Sequence, residues 1–168
     1  MLVVHSSRAA AVLRSTAFVV SLVAVALVAA VHAKRAEAYS APTAWQLKHH
    51  RVLKRERSVV RAALKQRGIP YRWGGASRAG FDCSGLVLYA YRTIGMSLPH
   101  YTVSQFQLGR AVHGRFKPGD LLFFHGLRHV GMYVGHGMFV HAPHTGTRVS
   151  IASLASYGGL DGARRLIH

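Results

Sequence analysis

The stretch "GFDCSGLVLYAYRTIG" holds the chain's only cysteine, Cys83, between Asp82 and Ser84. Asp82 is a side chain suited to cap a helix, which places Cys83 in the first helical turn. From there Cys83, Leu86, Val87, Ala90, Tyr91 and Ile94 repeat with helical period, and Gly95 is placed to end the run. A thiol with an ordinary pKa of about 8.5 is a weak nucleophile, and a helix N-terminus and a neighbouring imidazole both favour its thiolate. Position supplies the first of these. The second requires a histidine whose ring is itself held by another group.

With 12 histidines in the chain, strand geometry has to select among them. In "HVGMYVGHGMFVHAP", a three-residue turn at Gly135, His136 and Gly137 sets Val134 opposite Met138 and His141 opposite Gly131. His129 is then diagonal to His141 on one sheet face, at about 7–8 Å between backbones, because side chains alternate with period two. A two-residue turn separates the two rings unless a bulge restores parity, so an odd loop or a bulge is expected. Gly131 leaves room beside His129 for the thiol-bearing helix end or a substrate. A zinc site built from His129, His136, His141 and His144 is the rival arrangement. No H-E-x-x-H pattern accompanies it and acidic ligands are scarce, so neither a metal nor another cofactor is expected. Beyond residue 38 the carboxylates are Glu56, Asp82, Asp120 and Asp161. Glu56 lies in a basic helix and Asp120 ahead of a strand, which argues against two-carboxylate glycoside chemistry.

Several elements must position these groups. "WQLKHHRVLKRERSVVRAALKQRG" reads as a basic helix with a stripe of Val52, Val59, Val60, Ala63 and Leu64, stopped near Gly68. "IPYRWGGASRAG" reads as a Gly-rich loop leading to the Cys83 helix. Past Pro99 the period changes: "GDLLFF", "HVGMYVG", "MFVHAP" and "RVSIASL" are short, branched or aromatic runs separated by turn residues, hence consecutive antiparallel strands. Helices followed by strands indicate an α+β domain with the Cys83 helix against the sheet.

The 168 residues carry 22 Lys and Arg against 5 Asp and Glu, a formal charge of +17, and call for an anionic partner or surface. Arg8 and Arg14 precede an apolar run from Thr16 to Val31, followed by small-residue sites at Val31-His32-Ala33 and Ala36-Glu37-Ala38. Residues 1–38 therefore read as a secretory signal peptide or, if uncleaved, a membrane anchor. A basic lead-in follows at 39–58 and one domain at 59–168. After residue 38 there remain 18 basic and 4 acidic residues. Export with this charge favours anionic cell-wall polymers as partners, and nothing resembles an RNP box or another nucleic-acid signature. A single cysteine in an exported chain forms no internal disulfide, which singles out Cys83 as a working thiol.

Taken in order, "YRWGG", "FDCSGLVLYAY", "LPHYTVSQ", "KPGDLLFF", "HVGMYVGHG" and "VHAP" resemble the NlpC family of papain-like cell-wall cysteine peptidases, over roughly Val60 to Leu154. The resemblance implies a papain-like α+β domain, monomeric and secreted to the wall. It would hydrolyse the peptidoglycan stem-peptide amide between D-glutamate and the diamino acid. It implies Cys83 as nucleophile, His129 as base and acid, and His141 as the residue orienting His129. It also implies that Tyr71, Asp82 and Ser84 line the substrate site. Two departures stand out, Arg78 where proline is common and His100 where arginine is common, both expected near the groove. The alternatives are a non-catalytic wall-binding protein and a thioester acyltransferase on the same fold.

Overall fold

The computed structural model describes residues 24–34 and 41–168. The chain divides into two compact units, Met1–Ala44 and Trp45–His168. Of the expected leader only 24–34 is described, and it is helical; the rest lies outside the described residues. Among the described residues no helix is long and apolar enough to cross a membrane.

Helix α1 spans Ala44–Leu64 without a break, so the lead-in from residue 44 and the start of the domain share one helix. Its Val59, Val60 and Ala63 are buried, while Val52 and Leu64 pack at the margin of the core. The loop expected before Cys83 contains a small antiparallel hairpin, β1 (Ala76–Ser77) and β2 (Gly80–Phe81), turning at Arg78 and Ala79. Helix α2, Cys83–Arg92, follows with Asp82 as its N-cap. It ends at Thr93, and the chain turns away through Gly95, whose N–H donates to the Arg92 carbonyl at 3.0 Å. A short helix, α3 (Thr102–Phe106), precedes the sheet.

The sheet comprises β3 (Arg110–Val112), β4 (Leu121–Phe124), β5 (His129–Gly135), β6 (Met138–His141), β7 (Ser150–Ser153) and β8 (Leu160–Arg165). Helix α4 (Leu154–Tyr157) lies between the last two. The strand order is β3-β8-β4-β5-β6-β7, antiparallel throughout. The four consecutive strands read from the sequence are present as β4 to β7. The reading missed β3 and β8. "LDGARR" carries little strand propensity, and it becomes a strand because it fills the gap between β3 and β4 and bonds to both.

Both faces of β4 are covered. Leu121 and Phe123 join the main core with Val130, Met132, Val140 and the apolar side of α2. Leu122 and Phe124 turn the other way, onto Phe139 and Ala163, with Tyr133 and Tyr157 against them. Because side chains alternate, His129 and Tyr133 share this second face with Phe139 and His141.

Gly85, in the first turn of α2, is where the helix meets the loop before it. A Cβ there would collide with the carbonyl oxygen of Gly75 and come within 2.8 Å of His100 Nε2. Only a bare Cα allows this approach. Replacing Gly85 by alanine is therefore expected to destabilise the fold by about 1–3 kcal/mol through overpacking, read as a lower urea midpoint at unchanged m-value.

Candidate active site

Asp82 fixes the start of α2. One carboxylate oxygen accepts from the Gly85 N–H at 2.7 Å and from the Ser84 hydroxyl at 3.2 Å. The other accepts from the Gly74 N–H at 2.9 Å. His100 Nε2 reaches both, at 2.8 and 3.0 Å. This cap ties the helix, the loop at 72–75 and the segment after Pro99 to one buried group. The sequence-predicted substrate contacts Asp82 and Ser84 thus already bond each other.

Cys83 is half-buried beside it and is the only cysteine. Burial pushes its thiol up from the ordinary value, and the Asp82 carboxylate acts in the same sense. Backbone hydrogen bonds from Val130, Ser84 and Cys83 itself oppose this. The expectation that the helix start would favour the thiolate is thus outweighed by desolvation. The influence of the Val130 backbone places the sulfur near the start of β5, and Cys83 and His129 line one cleft.

His129 and His141 are 7% and 3% exposed, and His129 Nε2 lies 2.9 Å from His141 Nδ1. That bond leaves His129 Nδ1 as the ring nitrogen not committed to His141. The parity anticipated for the β5–β6 hairpin is met by a different device. The turn is two residues, His136 and Gly137, both at positive φ, and the register shifts between Tyr133 and Gly135. This bulge restores the alternation, and continuing Met132↔Val140 by one step sets Gly131 opposite His141. Gly131 leaves room for no helix end or substrate; the Phe139 ring occupies that space.

Burial lowers the pKa of His129 to about 3, with His141, His125 and His144 adding to the effect. Burial likewise lowers that of His141 to about 4, with a contribution from His144. Both rings are neutral at pH 7, one donating to the other. Tyr157, not singled out from the sequence, covers the pair, its ring centroid 5.9 Å from His129 and 5.2 Å from His141. It also packs on Phe124 and Phe139 at 4.9 Å. Burial raises its hydroxyl pKa, and the nearby Cys83 thiol does so further. No local pattern in "LASYGG" marks this role, because it depends on where α4 leaves β7.

A cleft of about 550 Å³ opens onto these groups, lined by Tyr71, Asp82, Cys83, Ser84 and His129 among others. His141 lies behind His129 and is absent from its lining. Trp73 and Tyr101, 86% and 59% exposed, stand at its rim, and Arg128 adds a cation. The hydroxyl of Tyr71 is raised by burial and by Cys83 and Asp82, so it too lies near the thiol. Of the two departures, His100 lines the cleft, whereas Arg78, at the tip of the β1–β2 hairpin, does not. Among the described residues no three His, Cys, Asp or Glu side chains are gathered as a metal site requires.

A helix-borne thiol and a sheet-borne imidazole lining one cleft define a class of α+β domain. The pattern of the NlpC/P60 family matches residues 68–159, and the chain belongs to that family. It is 39% identical over 116 residues to the peptidoglycan endopeptidase RipA of Mycobacterium tuberculosis, covering 60% of this chain and 25% of RipA. It is 40% identical over 115 residues to the murein DD-endopeptidase MepH of Escherichia coli, covering 62% of this chain and 42% of MepH. The chain thus spans a quarter to under half of these relatives. The crystal structure of the NlpC/p60 domain of the peptidoglycan hydrolase SagA superposes with a TM-score of 0.62 at 34% identity, covering 66% of this chain and 98% of that domain.

The imidazole pair makes the fold acid-sensitive. Free histidine titrates near 6.5, so between that value and the depressed folded ones the unfolded chain binds more protons, and stability falls as pH drops. Each histidine contributes up to about 1.4 kcal/mol per pH unit in this window. Urea midpoints taken from pH 7 to pH 4.5 are expected to fall steadily, and less steeply for His141→Asn.

Proposed function

We propose that the chain is a peptidoglycan endopeptidase working through Cys83, His129 and His141, and that it acts outside the cytoplasm. The observation that carries this reading is the 2.9 Å bond between two buried neutral imidazoles beside the cleft-lining thiol. The names borne by RipA, MepH and SagA support it.

With the thiol raised and His129 depressed, the resting pair is uncharged, and the proton moves during attack. Cys83 Sγ bonds to the scissile carbonyl carbon as His129 Nδ1 takes the thiol proton. The carbonyl π electrons move onto oxygen, and the backbone N–H of Cys83, at a helix start where no ladder partner exists, faces the developing charge. Collapse expels the amine, which receives the proton from His129. Water then gives a proton to His129 and attacks the thioester, and Cys83 is released as that proton returns. His141 holds the His129 ring throughout, and Tyr157 shields the pair from water. Tyr71 lines the carbonyl side of the cleft, while Asp82 and Ser84 shape its floor through the cap they form.

The bond cut in this reading is the stem-peptide amide between D-glutamate and the diamino acid. MepH is named for a D,D bond, so the two bonds are the alternatives to separate. Digestion of defined muropeptides followed by mass spectrometry distinguishes them: a tripeptide shortened to its L-Ala-D-Glu portion identifies the first, separated cross-links the second. Cys83→Ala is expected to abolish either product while leaving the thermal midpoint within a few degrees. Normal turnover by that variant would end the proposal. Because His129 must be neutral to accept the thiol proton, the acid limb of kcat/KM is expected below pH 5, down toward its value of about 3. A limb centred near 6.5 would mean that the ring is not buried during turnover.

A further inference from the structure

Helix α1 carries its charge in a way that the cleft does not explain. Arg57 and Arg61 stand four residues apart, and Lys65 follows in the turn whose N–H still bonds to the Arg61 carbonyl at 3.1 Å. All three are exposed. At helical rise this is a line of cations spaced about 6 Å apart, and like charges at this spacing repel one another and destabilise the helix. Together with Arg67 they wall a groove of about 480 Å³ whose floor is Val60, Leu64, Pro118 and Val134.

None of the four carboxylates from residue 39 onward is available to neutralise that line. Asp82 is held by His100, Asp120 by a two-point pair with Arg165 at 2.6 and 2.7 Å, and Asp161 by the Leu127 N–H at 2.8 Å. Glu56, though on the same helix, is buried, and the cations that act on it most are Lys117 and Arg165. Among the described residues the only ion pairs are His100 with Asp82 and Arg165 with Asp120. The cost of the charged line is thus unrelieved within the domain.

We infer that this groove binds an extended polyol phosphate, a phosphodiester polymer without bases, since no aromatic side chain lines it on which a base could stack. A chain of phosphates matches a linear row of cations better than a bilayer does, since a bilayer presents its charge over a plane. Guanidinium groups make two-point bonds to phosphate, and three of the four walls are arginines. The apolar floor accommodates the carbon segments between successive charges. This docking surface is separate from the cleft, and the inference does not rest on the chemistry proposed there.

The test uses the full chain carrying Cys83→Ala, so that binding is measured without cleavage. The probe is a synthetic poly(glycerol phosphate) of about ten repeats, compared with glycerol 1-phosphate, phosphatidylglycerol vesicles and an oligothymidylate of equal charge. The polymer is expected to bind far more tightly than the monomer, with a log–log salt slope of about two to three for three to four neutralised phosphates. The triple variant Arg57→Gln, Arg61→Gln, Lys65→Gln is expected to bind at least about tenfold more weakly. Its thermal midpoint should be unchanged or higher, and with Cys83 restored its hydrolysis of a small soluble stem peptide should match the parent. Equal polymer affinity in parent and triple variant would overturn the inference. Tighter binding to the vesicles or to the oligothymidylate would overturn it in favour of a membrane or a nucleic acid.

Discussion

A single buried carboxylate organises the cleft end of this domain. Asp82 accepts hydrogen bonds from its own helix, from the Gly74 loop, from Ser84 and from His100, and Cys83 is the next residue along. The cap therefore fixes both the start of the helix and the direction in which the thiol leaves it. The close approach at Gly85 and the loop bond at Gly74 follow from the same arrangement. His100 stands where the family resemblance leads one to expect arginine, and its ring reaches both carboxylate oxygens of Asp82.

Desolvation governs the chemistry around that cap. The sheet's second face, with Phe124, Phe139 and Tyr157 packed about the imidazoles, removes water from His129 and His141 and holds them neutral. Burial against the main core raises the thiol. In the proposed reaction, a base that is neutral over most of the pH range and a thiol that keeps its proton until attack suit concerted proton transfer better than a standing ion pair. Stability and reactivity are coupled here, since the burial that sets the proton positions also makes the fold vulnerable to acid.

Much of the setting of Cys83 was legible from local rules. Asp82 as N-cap, the stripe from Leu86 to Tyr91 and the apolar face of α1 all follow from short-range periodicity, and each is present. The parity of His129 and His141 was legible as a condition, since period two demands an odd turn or a bulge. Which of the two occurs was not, because the two-residue turn at His136 and Gly137 becomes compatible only once the strand bulges after Tyr133. The β1–β2 hairpin was hidden because two-residue strands in a Gly-rich loop have almost no periodicity to detect.

The amino-acid sequence by itself determined that one thiol would stand at a helix start and that two histidines would share a sheet face only through an odd turn or a bulge, because capping and side-chain alternation act between near neighbours. Tertiary structure alone decided that β8 would enter between β3 and β4, that Phe139 would fill the space over Gly131, and that Tyr157 would cover the imidazoles. It also decided the protonation of the site. Each of these depends on contacts between residues far apart in the chain, where burial and the local dielectric are set by how the elements pack and leave no trace in local spacing.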